Sequence, residues 1–120
     1  MHRLILMRHA KTERTAAHGG GDHARALTER GRSDAVLISQ ALADQGLKPD
    51  LALVSDAVRT RQTWEEMREA LGDVEVRVLA DLYNADDAHL RRRVQAEEDN
   101  CGCLLVLAHN PGIHVLAHQY

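Results

Sequence analysis

The stretch MHRLILMRHAKT, residues 1–12, decides how the chain is read. Its residues 4–7 are a run of apolar side chains that leads without a break into Arg8 and His9, a permanent cation beside a titratable imidazole. Two more runs lack alternation in the same way, at residues 51–54 and 103–108. A strand with one wet face alternates apolar and polar residues, whereas a strand of a parallel sheet covered on both faces does not. A fourth segment does alternate, Val74, Val76 and Val78 with Glu75 and Arg77, which predicts a strand with one wetter face nearer the edge of the sheet.

Helical patterns lie between these runs. Thr28 is placed to cap a helix with apolar positions Ala35, Ile38 and Leu42, stopped by Gly46 and Pro49. The next begins near Ser55 or Asp56, sets Thr60, Trp64, Met67 and Leu71 on one stripe and ends at Gly72. Residues 86–98 read as a third, more polar helix, with Asp87–Arg91 and Arg93–Glu97 as helix-neighbour ion pairs on a solvated face. A fourth helix starts after Asn110, with Pro111 in its first turn. Strand followed by helix, repeated along the whole chain, is the pattern of an α/β fold with a mostly parallel sheet.

Composition narrows the function. With 120 residues, 44% of them hydrophobic, the chain has the size of one domain with a core of its own and no linker. A formal charge of -3, one tryptophan and two tyrosines supply neither a basic face nor stacking platforms, which argues against nucleic acid. No apolar run approaches the roughly 20 residues that span a bilayer, and the first residues lack the features of a secretory signal. A soluble, cytoplasmic protein without a membrane partner is expected. Cys101 and Cys103, one residue apart on a strand, point to opposite faces and cannot easily bond each other, and two free thiols suit a reducing compartment.

In open α/β sheets ligands bind beyond the carboxyl ends of the strands. Arg8 and His9 follow the first run, Ser55 and Arg59 the second, Asp81 the third, and His109 and Asn110 the fourth. The set is an anion site with a nucleophile. A transferring phosphoryl group spreads negative charge over three oxygens, so its catalysis is chiefly positioning and fixed positive charge, and arginine forks match those oxygens two at a time. One imidazole attacks phosphorus while the other, protonated beside the dianion, binds an oxygen; the chemistry calls for no metal and no cofactor. Spacing alone does not say which histidine attacks, but a position directly after a rigid central strand favours His9. A backbone carbonyl holding its Nδ1–H would leave Nε2 free. His109, His114 and His118 contain an i, i+4 pair, but no acidic ligand accompanies them and the zinc reading is disfavoured. Residues 19–21, three glycines, do not join a strand to a helix as a dinucleotide loop would, and read as a mobile segment beside the pocket.

Taken together, RHAK at residues 8–11, DHARALTERGR at 22–32, SDAVRTRQT at 55–63 and AHNPG at 108–112 resemble the histidine phosphatase superfamily, and within it the small phosphohistidine phosphatases of the SixA type. The resemblance implies a three-layer α/β/α, phosphoglycerate mutase-like fold, a phosphohistidine intermediate on His9, and a phosphate pocket completed by Arg8, Arg59 and His109. Lys11, Ser55 and Asn110 are candidate substrate contacts. Larger members place an acidic residue beyond the third strand as general acid; Asp81 is the candidate, with a turn-capping role as the alternative. Ala10 stands where many members have glycine, and the chain ends at Tyr120, early in its fourth helix, where relatives continue through further elements. The expected partner is a phosphohistidine-bearing protein, or else a small phosphorylated molecule handled by a phosphomonoesterase or mutase. A binding module that keeps the charges without turnover is the alternative of another class.

Overall fold

The computed structural model describes residues 1–120. Four strands, β1 (Arg3–Arg8), β2 (Leu51–Ser55), β3 (Glu75–Leu79) and β4 (Cys103–Ala108), form one parallel sheet in the order β1-β4-β2-β3. The helices are α1 (Glu29–Asp44), α2 (Val58–Leu71), α3 (Asp87–Ala96) and α4 (Gly112–Ala117). Short 3-10 turns at Asp22–Ala24 and Ala80–Leu82 interrupt the connections after β1 and β3.

Strand periodicity divides the core in two. Leu51 and Leu53 of β2, with Leu104, Val106 and Ala108 of β4, pack with Leu90 and Val94 of α3 and Ile113 and Leu116 of α4. The intervening residues Ala52, Val54, Leu105 and Leu107 face the other way, toward Ala35 of α1 and Trp64, Met67 and Leu71 of α2. Both faces are covered, which gives the expected three layers and explains why β2 and β4 show no alternation of hydropathy.

The first and third strands are the two edges. Residues 4–7 of β1 are therefore half-buried and pair only with β4, so His9 follows an edge strand and not the central one expected. At the opposite edge β3 is solvent-exposed from Glu75 to Val78, the valines included.

Helix boundaries follow local chemistry. The Thr28 hydroxyl accepts from the Gly31 N–H and caps α1; the Asp86 carboxylate accepts from the His89 N–H and caps α3. Gly72, at φ 78°, takes the left-handed conformation that ends α2. On α1 the inward stripe is Gly31, Ala35 and Ser39, while Ile38 is exposed. Ser39 escapes hydropathy reasoning because its hydroxyl donates to the Val36 carbonyl within the helix and leaves no polar atom needing water. The ion pairs read along α3 form differently: Arg93 reaches Asp81 and Glu97 reaches Arg77 of β3.

Gly31 ties this scaffold to the loop after β1. A Cβ there would lie 2.2 Å from the Lys11 carbonyl oxygen, the same oxygen that accepts from the Thr28 N–H. Backbone cannot give way cheaply at that distance, so Gly31→Ala is expected to cost about 1–3 kcal/mol. Urea unfolding of the variant should show a lowered midpoint; an unchanged midpoint would mean that the loop moves freely away from α1.

Candidate active site

Sheet register brings the two histidines together. Arg8 of β1 pairs with Ala108 of β4, so the residues that follow, His9 and His109, leave the sheet side by side, with ring centroids 5.5 Å apart. The His9 Nδ1–H donates to the Ala10 carbonyl at 2.8 Å, which leaves Nε2 with its lone pair, the tautomer expected from the sequence. Ala10 is held in turn, its N–H donating to the Thr63 hydroxyl. That hydroxyl donates to the Arg59 carbonyl one turn earlier on α2.

The segment 55–63 supplies most of the remaining frame. Ser55 is fully buried, and its hydroxyl lies 2.7 Å from His109 Nε2. Thr60 donates to the Ser55 carbonyl, fixing the turn from β2 into α2. Arg59 is 5% exposed, and its guanidinium is held by Asp22: Nη1 donates to the Asp22 carbonyl at 2.7 Å and Nη2 to the Asp22 carboxylate at 3.0 Å. Tyr83, just beyond the second 3-10 turn, donates its hydroxyl to that carboxylate at 2.6 Å and sets its ring edge-on to His109. Arg8, His9, Lys11 and Thr12 line a pocket of about 440 Å3 at this end of the sheet.

Electrostatics follow from crowding cations around partly buried rings. Burial is the largest cause lowering the His9 pKa, with Arg59, Arg8 and Arg25 adding to it and the Ala10 hydrogen bond opposing. His109 is pushed down to about 4 by burial first, then by Arg59 and His9. Both imidazoles are thus mainly neutral at neutral pH. Two buried side-chain nitrogens lack a hydrogen-bond partner, Arg59 Nε and His109 Nδ1, and both belong to this cluster. Unpaired buried polar atoms are rare in folded proteins, and two in one cluster call for an explanation such as a polar ligand.

The structure gathers Arg8, His9, Lys11, Ser55, Arg59 and His109 at one end of the sheet. Asn110 is exposed beside them. Asp81 is engaged elsewhere: its carboxylate accepts from His89 Nε2–H at 2.6 Å and Arg93 Nε–H at 2.7 Å, which tie the 3-10 turn to α3. Arg93, then His89, holds its pKa down to about 2, so it carries no proton to donate at neutral pH. The turn-stabilising alternative for Asp81 is the one the geometry favours. His114 and His118 approach to 3.2 Å between their Nε2 atoms, while His109 is engaged by Ser55.

Asp22, His23, Arg25 and Tyr83 also belong to the cluster and are not marked by position at a strand end. Asp22 and Arg25 sit in the quoted DHARALTERGR motif and Tyr83 lies two residues after Asp81, but none follows a strand directly. The positive φ angles of Gly19, Gly20 and Gly21 are the local signal that the chain turns sharply just before Asp22.

Depressed histidine pKa values predict a stability change with a definite sign. A proton binds the unfolded His109 near pH 6.5 but the folded one only near pH 4, so stability is present above pH 6.5 and falls as pH drops through that window. Urea unfolding at pH 7 and pH 4.5 should show this loss, and His109→Gln should shrink it, with His9 contributing the remainder. Equal pH slopes for both proteins would mean that His109 is freely protonated in the fold.

Comparison with known proteins bears on the family and the fold. Residues 4–100 match the family model of the histidine phosphatase superfamily (branch 1). The solved structure of the putative phosphohistidine phosphatase SixA from Agrobacterium tumefaciens superposes with a TM-score of 0.91 at 30% identity, covering 98% of this chain and 75% of that one. The putative SixA of Nakamurella multipartitia gives 0.84 at 30% identity, covering 96% and 63%. A third, the protein histidine phosphatase SixA complexed with tungstate, gives 0.85 at 28% identity, covering 95% and 73%. An uncharacterized chloroplastic protein of Arabidopsis thaliana is 42% identical over 66 residues, which are 55% of this chain and 30% of the plant protein. The chain thus spans under a third of the curated relative it matches and belongs to the histidine phosphatase superfamily.

Proposed function

We propose that the chain is a phosphatase that removes the phosphoryl group from phosphohistidine through a phospho-His9 intermediate. One observation carries the reading: His9 has its Nδ1–H tied to the Ala10 carbonyl and its Nε2 free, inside a cluster that holds Arg8, Arg59 and a second neutral imidazole. Nε2 attacks phosphorus in line with the bond to the substrate's imidazole nitrogen. That P–N bond breaks and its electron pair goes to the ring nitrogen; with the ring's other nitrogen protonated beforehand from solvent, the leaving group is a neutral imidazole, and the phosphoryl group is now on His9. Water then attacks phospho-His9, the new P–N bond breaks with its electron pair returning to Nε2, the water gives up a proton to solvent, and inorganic phosphate departs.

Arg8 and Arg59 hold the phosphoryl oxygens in both steps, and His109, charged by the incoming dianion, donates a third contact. An imidazole nitrogen leaves far more readily than an alkoxide and needs little help from an acid. The engagement of Asp81 by Arg93 and His89 is therefore compatible with a phosphoramidate substrate and adverse to a phosphoester. The similarity to a putative phosphohistidine phosphatase and to a protein histidine phosphatase in complex with the tetrahedral oxyanion tungstate supports the substrate class. Residence in a reducing cytoplasm is supported by two free cysteines, and no helix is long and apolar enough to cross a membrane.

Incubation with a phosphohistidine peptide and with a phosphoserine peptide tests the reading. Phosphate release from the first and not the second is expected, and His9→Ala should abolish it. Release from phosphoserine alone would indicate a phosphomonoesterase, and binding without release a non-catalytic module. Arg59→Lys keeps the charge but loses two-point geometry, and a fall in kcat/KM of roughly tenfold or more is expected; near-normal kinetics would place Arg59 outside the reaction. Asp81→Asn should leave turnover within about twofold and cost at most about 1 kcal/mol of stability, the worth of a part-exposed ion pair. A severe loss of turnover would restore Asp81 as the acid.

A further inference from the structure

Asp22 accepts three side-chain hydrogen bonds, from Tyr83 at 2.6 Å, Arg59 at 3.0 Å and Arg25 at 3.1 Å, and its backbone carbonyl accepts a second bond from Arg59 at 2.7 Å. A guanidinium has five N–H groups and presents them along more than one two-point edge. Asp22 occupies both terminal nitrogens of Arg59, while Nε is buried without a partner. Two of the five N–H groups are so used, and the two-point edge left open is the one made by Nε and the terminal nitrogen beside it.

We propose that Asp22 is a positioning residue: it grips Arg59 by its terminal nitrogens so that the Nε edge is kept for the phosphoryl oxygens. The assignment rests on the phosphatase reading above and extends it to a residue outside the strand ends. Two features separate this role from that of a carboxylate competing with phosphate for the same arginine. Asp22 is held by Tyr83 and Arg25 as well as by Arg59, so its place does not depend on the guanidinium alone. Its neighbour His23 donates Nε2–H to Asp56 at 2.9 Å, at the start of the α2 connection, which latches the same 3-10 turn at a second point. A carboxylate built to be displaced would not be anchored on both sides.

There is also a charge argument. Arg59 is 5% exposed, and a buried guanidinium needs a hydrogen-bonded counter-charge to be tolerated. Asp22 supplies it from the half-exposed side, and the cation stays in place between turnovers. Tyr83 links this pair to the second imidazole, since its hydroxyl holds Asp22 while its ring lies edge-on to His109 at 5.6 Å.

Asp22→Asn and Tyr83→Phe test the assignment, each read by turnover of the phosphohistidine peptide and by direct binding of inorganic phosphate. Asn in place of Asp is expected to lower kcat/KM roughly tenfold and weaken phosphate binding by a similar factor, and Phe in place of Tyr to give a smaller loss in the same direction. In an Arg59→Lys background, Asp22→Asn should cost little more, because both act through one guanidinium. Tighter phosphate binding by Asp22→Asn would show competition and overturn the assignment, as would unchanged binding or fully additive losses. Because phosphate binding is measured separately, a wild-type protein that binds phosphate without turnover would overturn the phosphatase reading while still deciding the role of Asp22. A wild-type protein that does neither would overturn both.

Discussion

The parallel pairing of β1 with β4 is the contact on which the site depends. Its register sets Arg8 opposite Ala108, and from that single alignment His9 and His109 emerge as neighbours although 100 residues of sequence separate them. β4 is buried on both faces by two separate apolar clusters, so it offers a fixed reference, while β1 gains its position from one ladder of hydrogen bonds and a half-buried apolar run. A slip of one residue would send the side chains of residues 4–7 to the wrong layers as well as separating the rings. Correct packing and correct chemistry are thus enforced by the same register.

Around that pair the protein manages charge by keeping imidazoles neutral and guanidiniums countered. Burial and nearby arginines hold both histidines below their ordinary pKa, which keeps both rings neutral, the form that the proposed attack by His9 needs. Arg59 is countered by Asp22, whose carboxyl the Tyr83 hydroxyl, then Arg59, hold down to about 2. Positive charge can therefore be kept in a partly buried site without a phosphate to balance it, which is the preorganisation that transfer of a dianionic group requires.

The sequence made the layers and the strand ends legible because both depend on local pattern. Unbroken apolar runs announce strands covered on two faces, and Thr28, Gly72 and Asp86 mark helix ends through hydrogen bonds that span three or four residues. The order of strands was not written in this way. Residues 4–7 look as buried as residues 51–54, and only the topology reveals that β1 is an edge. Ile38 looked inward by spacing, but the slot against the core is occupied by Ser39, which satisfies its own hydroxyl. Asp81 stood at the expected distance beyond the third strand, yet two partners on α3 claim it. Asp22 and Tyr83 were unreadable for the opposite reason: they act on Arg59 from loops 37 and 24 residues away in sequence, where no periodicity operates.

Whether His9 carries the phosphoryl group is decided by rapid quench during turnover of a small phosphoramidate, followed by intact-protein and peptide mass spectrometry. A single phosphoryl adduct, labile to acid, stable to base and located on His9, is expected, with none formed by His9→Ala. Turnover that proceeds with no adduct, or an adduct that persists in His9→Ala, would contradict it.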